Sequence, residues 1–402
     1  MKKILLFGII IINSTLFFGQ SISKTIQLLP DTGQTQSYTT TFGEDQDYLI
    51  NTPSFTNNNN GTITDNVTGL MWQQVDGGEM TIENAITYCD NLVLGGFSDW
   101  RLPTPIESFS IINHQNSNPA INTTYFTLTT AGYWWTSTYQ AGDNTKVWVT
   151  NAGGGIGNKP KTETISAGGS SRFHARAVRD ITTPAVIPNH FTDNGNGTIT
   201  DNLTQLIWQK VPNVTAVTWE DAIGYAEGLS LASATDWRLP NLKELQSLND
   251  ESLSNPSVST TFFPTIGVHN YWSSTTVQNQ PTNAGFWNTQ FGITTLGLKT
   301  VTNFVICVKG NPTLSVKLET LDASIKIHPN PTSDFVSISF PSYTSSAKIE
   351  IADASGKIVL NKEIVINSSE YQLDTEGISE GIYYLSIING NNKNTFKIIM
   401  KK

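Results

Sequence analysis

Charge is scarce in this chain. Of its 402 residues only 14% are Asp, Glu, Lys or Arg, and 24 basic residues stand against 33 acidic ones. With no basic field to collect phosphates, the composition argues against nucleic acid as a partner. Cysteine is nearly absent, with only Cys89 and Cys307, so there is no CxxC pair. There is also no HExxH helix and no GxSxG elbow. The histidines, at 114, 174, 190, 269 and 328, sit in unrelated contexts. No catalytic constellation assembles from these residues, so the chain reads as a non-enzyme without cofactor or metal. Beyond the first twenty residues no run is apolar enough to span a bilayer, which takes about 20 apolar residues.

Aromatics and glycine are plentiful. Ten Trp, 12 Tyr and 31 Gly, with abundant Asn and Thr, favour short strands, tight turns and long loops over helices. At about 100 to 200 residues per domain, the length allows roughly two to four domains. Lys2 and Lys3 precede an apolar run over 4–18, interrupted at Gly8 and at 13–15, with small or polar residues at 19–21. This pattern predicts a secretory signal peptide over residues 1–20, followed by an N-terminal linker over 21–50.

A long internal repeat organises the rest. FTNNNNGTITDNVTGLMWQQV, from Phe55, returns as FTDNGNGTITDNLTQLIWQKV from Phe191, and TIENAITYCDNL from Thr81 returns as TWEDAIGYAEGL from Thr218. SDWRLPTPIE at 98–107 then matches TDWRLPNLKE at 235–244, NPAINTTYF matches NPSVSTTFF, and YWWTST matches YWSSTT. Two copies of one domain therefore occupy 51–181 and 187–311, joined by the Pro-containing ITTPAVIPN.

Each shared piece has a local reading. Asn60-Gly61 and Asn196-Gly197 predict a tight hairpin turn, with strands leading to Trp72 and Trp208. Thr81 and Thr218 are candidate helix caps, with Glu83 and Glu220 near the positive helix end, and Ile82, Ala85, Ile86 and Cys89 share one face. In WRLP, Trp100 and Trp237 are core anchors. Pro103 and Pro240 open a second short helix, and Glu107 and Glu244 follow four residues later. Arg101 and Arg238 are placed to meet a carboxylate bidentately, either as a structural clamp or as a functional cation. Trp135 and Trp272 complete the structural set. TDNGNG has part of a calcium loop, but Thr192 replaces the leading acid and no Glu closes it, so a plain turn is expected.

The hairpin DNGNGTITDNLTQLIWQK, the helix, DWRLPNLKEL, YWSSTT and the final strand FVICVKG together resemble the Lcl C-terminal domain family, named after a bacterial collagen-like adhesin. WRLP is also similar to the RLPT segment of formylglycine-generating enzymes. Both resemblances imply an α+β, C-type-lectin-like fold in each repeat: two short helices, a small twisted antiparallel sheet and a long irregular loop region. Formylglycine-generating enzymes rely on cysteines late in the domain, where this chain has Ala177 in the first copy and the single Cys307 in the second. The lectin-like resemblance further implies a disulfide from the first helix to the final strand. Here the first copy keeps Cys89 opposite Ala177, and the second keeps Cys307 opposite Ala226. That leaves two free buried thiols, or a bond between Cys89 and Cys307 that interlaces the copies.

Residues 318–402 resemble another family. IKIHPNPTSDFVSISF, IEIADASGKIVL, SEGIYYLSI and TFKIIMKK are similar to the type A C-terminal sorting domain of type IX secretion substrates. Alternation in VSISF and IEIAD, with turns at Ser355-Gly356 and Asn389-Gly390, predicts an all-β, immunoglobulin-like sandwich. The resemblance implies engagement of the type IX secretion machinery and a secreted or cell-surface location.

The copies diverge after YWWTST and YWSSTT, and loops on a rigid scaffold are where recognition concentrates. Trp148 with Asn151, and Trp287 with Asn283 (beside Ala284), Asn288 and Gln290, form the candidate ligand-binding set. Amides bond sugar hydroxyls while a Trp face packs on a ring. The same tryptophans also suit core plugs of the last strands. Two linked copies raise effective concentration, which predicts a secreted or surface-attached binding protein for a glycan or surface polymer. The resembled adhesin family binds polyanionic glycosaminoglycans; the acidic balance here favours a neutral glycan. A structural or protein-binding module of the envelope or matrix is the alternative, and a hydrolase or modifying enzyme ranks last.

Overall fold

The computed structural model describes residues 22–162, 173–310, 313–314, 325–339, 347–353, 357–364, 370–389 and 392–401. The expected signal peptide lies outside them, as do the Ser355-Gly356 turn and Gly390. The chain divides into two units, residues 1–314 and 315–402.

In the first unit both copies begin with short antiparallel strands. These are Phe55–Asn57, Thr62–Asp65 and Leu70–Gln73 in the first copy, and Phe191–Asp193, Thr198–Asp201 and Ile207–Gln209 in the second. The last strand of each copy closes its sheet, Val178–Asp180 on Leu70–Gln73 and Val308–Lys309 on Ile207–Gln209. The first turn is longer than the expected two-residue hairpin: positive φ falls on Asn59 and Gly61, and on Gly195 and Gly197. Asn60 and Asn196 instead accept hydrogen bonds from the N–H and hydroxyl of Thr62 and Thr198.

The helices are α1 (Ile82–Asp90) and α2 (Pro105–Ser110) in the first copy, and α3 (Trp219–Glu227) and α4 (Leu242–Ser247) in the second. Thr81 and Thr218 cap as expected, each hydroxyl accepting from the N–H of Asn84 or Asp221. The second helices start later than the prolines suggest. Pro103 and Pro240 precede the caps, Thr104 and Asn241, which exchange hydrogen bonds with Glu107 and Glu244 in a capping box. Such a box satisfies otherwise orphaned N–H groups, so it sets the helix start more strongly than a nearby Pro does.

A second sheet follows in each copy: Tyr133–Gln140, Asp143–Asn151 and Ile156–Pro160, then Asn270–Thr276, Asn283–Asn288 and Ile293–Leu298. Two apolar clusters form per copy. One gathers Trp72, Phe109, Trp134 and Trp148 in the first copy, and the corresponding cluster of the second gathers Trp208, Leu245, Tyr271 and Trp287. The other gathers Ile82, Ala85, Cys89, Trp100 and Trp135, matched by Ala222, Ile223, Ala226, Trp237 and Trp272. Ile86, expected on the buried face, sits at its margin and is 36% exposed. Cys89 shares a cluster with Ala177, and Cys307 with Ala226. Both thiols are free, so the interlacing bond does not form.

The copies meet through equivalent surfaces. α2 packs on α4, and Ile156–Pro160 packs on Ile293–Leu298. Because the same elements face each other, the contact is isologous about an approximate two-fold axis. Leu242 joins the first copy's core, and Thr294 Oγ1 accepts from Ile156 N at 3.0 Å.

Residues 22–50 are a packed strap, which corrects their reading as a linker. Ile26 and Leu29 are buried in the first copy's core. Ile22–Lys24 pairs with Ala185–Ile187 of the inter-repeat connector, and Tyr48–Leu49 pairs with Thr313–Leu314. The strap has no hydrophobic periodicity of its own; the walls on either side order it.

The second unit contains two antiparallel sheets. Lys326–His328, Phe335–Ser339 and Glu370–Asp374 form one; Ile358–Ile364, Ala347–Asp353, Gly381–Asn389 and Asn392–Met400 form the other. Val336, Ile338 and Leu373 of the first pack with Ile349, Ile351, Leu385 and Ile398 of the second in one core, as the sequence alternation requires. Among the described residues the repeats combine short helices with antiparallel sheets, and the elements of the C-terminal unit are strands. Among the described residues no helix is long and apolar enough to cross a membrane.

Candidate functional site

The WRLP residues are structural. Arg101 Nη1 and Nη2 reach Glu107 at 2.7 and 2.8 Å, and Nη2 also reaches Asp180. Arg238 grips Glu244 at 2.6 and 2.7 Å with both side chains buried. Burial pushes the Glu107 carboxyl up, but Arg101's hydrogen bond and charge outweigh it and hold the group below its ordinary range. The forked geometry clamps the loop before α2 or α4 to the helix cap. Trp100 and Trp237 donate to the carbonyls of Leu94 and Leu231, and Trp135 and Trp272 to those of Met80 and Val217.

The divergent loops do not carry the expected platform. Trp148 and Trp287, 2% and 0% exposed, lie inside the apolar clusters of their copies, so of the two readings the core plug holds. Asn151 Oδ1 accepts from Gly153 and Gly155, Asn283 Nδ2 donates to Gln280, and Asn288 bonds Asn270 and Gln290. Ala284 is buried and has no amide, and Gln290 is exposed. These amides tie their own turns rather than form one surface. In TDNGNG, Asp193 accepts from Gly195 N and Lys210 Nζ. Among the described residues no group of His, Cys, Asp or Glu is arranged to hold a metal.

A buried cluster escaped the sequence reading. Asp76 Oδ1 meets His174 Nδ1 at 2.7 Å, and Oδ2 receives Thr129, Trp134 Nε1 and, at 3.3 Å, Arg176. Burial raises the Asp76 carboxyl, but the His174 hydrogen bond and the Arg176 charge overcome it and hold it at about 2. These side chains are closed off from solvent, so the cluster is a fastening.

The approximate two-fold axis produces two related clefts, and they have different fates. On one side the strap fills the space between Thr275, Thr276 and residues 113–115. Thr276 N donates to Gln34 Oε1 at 2.8 Å, Thr275 Oγ1 donates to Asp45, and Thr276 Oγ1 meets Glu44. Thr35 N donates to Gln115, and His114 N to Thr32 O. Lys243 Nζ, fully enclosed, donates to the carbonyls of Asp31 and Ser110 at 2.8 and 2.7 Å; burial lowers it to about 8.

On the other side the matching positions line an open cleft of about 1040 Å³. Its walls include Ile106, Thr138 and Tyr139 from the first copy and Phe191, Gln246, Asn249, Asp250, Glu251 and Phe262 from the second. Gln246 is 2% exposed, yet neither its Nε2 nor its Oε1 has a hydrogen-bond partner, and Asn249 Oδ1 is also unpartnered. A buried amide without partners costs about 1 to 3 kcal/mol. The aligned residues of the first copy are Phe109 and Ile112, both in the core. Two polar-for-apolar exchanges at core positions of one copy were the sequence signal for this site. Burial, with the Asp250 charge adding to it, raises Glu251 to about 7.

The Lcl C-terminal domain family matches residues 61–179 and 197–309, and the secretion system C-terminal sorting domain family matches residues 326–401. No curated protein is similar enough to the chain to count as a relative. The sorting domain marks the chain for type IX secretion, to the cell surface or extracellular space, and implies contact with that machinery. With more than half of its length matched in two tandem copies, the chain belongs to the Lcl C-terminal domain family.

Proposed function

We propose that the chain is an exported, non-catalytic binding protein that takes a glycan free of anionic groups in the open cleft between its repeats. Gln246 supports this reading most: a buried amide with both ends unpartnered, on the wall of a cleft shared with the rings of Tyr139 and Phe262. Amides both donate to and accept from sugar hydroxyls, and rings pack on the apolar faces of sugars. Asp250 and Glu251 at the same cleft disfavour polyanions. We also propose a C-type-lectin-like fold for each repeat, supported by its two short helices and small antiparallel sheets. An immunoglobulin-like sandwich for the sorting unit is supported by its two facing sheets. A signal peptide over 1–20 is supported by Lys2, Lys3 and the apolar run after them. A glycan array probed with the full chain and with Gln246→Leu tests the binding site. Binding to uncharged or basic glycans, lost in the variant, is expected. Failure with all glycans alongside capture of a defined protein partner would favour a protein-binding module.

A further inference from the structure

The two clefts share a scaffold and differ in charge. At the strap-filled cleft the loop after α2 presents Asn113, His114 and Gln115; at the open cleft the aligned loop after α4 presents Asp250, Glu251 and Ser252. Acid at the filled cleft comes from the strap itself: Glu44 and Asp45 are 0% and 2% exposed and receive the hydroxyls of Thr276 and Thr275. Resting on the proposal that this cleft is the glycan site, we infer that its ligand is an amine-bearing, cationic glycan, held by Asp250 and Glu251 with Gln246 bonding its hydroxyls.

Glu251 Oε1 accepts a long hydrogen bond from Asn249 Nδ2 at 3.4 Å, and the other charged groups at the cleft are engaged elsewhere. Asp193 is engaged by Lys210 at 2.6 Å. His190 stacks on Phe191 with its Nε2 3.3 Å from Asp201. Asp250 Oδ1 accepts from the N–H and hydroxyl of Ser252, which orders the loop and leaves Asp250 its second carboxylate oxygen. Ammonium groups form short charge-assisted hydrogen bonds to carboxylates. The unpartnered Gln246 amide, an observation independent of the acids, lies on the same wall. Tyr139, 37% exposed, offers a ring at the opposite wall.

The test is calorimetric titration of the full chain with a glucosamine oligosaccharide and with its N-acetylated form of equal length. At least tenfold tighter binding of the amine form is expected, and the double substitution Asp250→Asn and Glu251→Gln should erase that preference. Glu376→Gln, in the C-terminal unit, should leave it intact. Equal affinity for both oligosaccharides would overturn the amine assignment while preserving a glycan site. No binding of either, with a folded protein by circular dichroism, would overturn the glycan reading beneath it. Tighter binding of a lysine-bearing peptide than of any oligosaccharide would overturn both.

Discussion

Replacing Gln246 with Leu should make the empty protein more stable and destroy its binding. The wild-type side chain is 2% exposed with both amide atoms unpartnered, a deficit of about 1 to 3 kcal/mol that an apolar side chain of similar volume removes. The aligned Phe109 shows that the fold accepts an apolar residue here. Allowing for imperfect packing of the new side chain, about 1 to 2 kcal/mol of stabilisation is expected. For a domain of 150 to 250 residues each kcal/mol moves Tm by about 2 to 4 °C, so the repeat unit should melt roughly 2 to 8 °C higher. Differential scanning calorimetry reads this shift, and titration of the same samples with a bound glycan reads the loss of affinity, expected to exceed tenfold. A fall in Tm with affinity retained would refute the reasoning, because the amide would then be serving the fold rather than a ligand.

Trp148→Ala and Trp287→Ala should each cost about 3 to 5 kcal/mol, as large-to-small changes in a packed core do; chemical denaturation measures it, and native-like stability in either would return that Trp to the surface. Acid should loosen the first repeat ahead of the second. Asp76 is held at about 2, below its unfolded value near 3.9, so its contribution is full above about pH 4 and is lost as pH falls toward 2. That loss is worth about 2 kcal/mol, and Asp76→Asn should flatten this part of the stability profile. Removing residues 318–402 leaves the compact 1–314 unit whole but should abolish export, which fractionation of a type IX secreting host detects; undiminished secretion would contradict the role of the tail.

Much of the fold was legible because the information was local or repeated. Thr81 and Thr218 cap as their positions suggest, Arg101 and Arg238 find the glutamates six residues on, and WRLP marks the same corner twice. What escaped was set by packing between copies. Trp148 suited both a loop platform and a core plug in the sequence, and the packing of α2 on Asp143–Asn151 decides for the core. The strap carries no periodic pattern, since its burial is decided by walls far away in sequence. The cleft exists only where the copies meet, and its traces in the sequence are the exchange of Phe109 and Ile112 for Gln246 and Asn249 and the acidic pair Asp250-Glu251 in place of Asn113-His114.

The central claim is that recognition sits at the junction of the repeats rather than on each repeat. Calorimetric titration of the full chain with the best oligosaccharide from the array measures the number of sites directly. One site per chain, absent in Gln246→Leu, is predicted, because the strap occupies the other cleft. Two equivalent sites per chain, indifferent to Gln246→Leu, would place binding on the separate repeats and contradict the account.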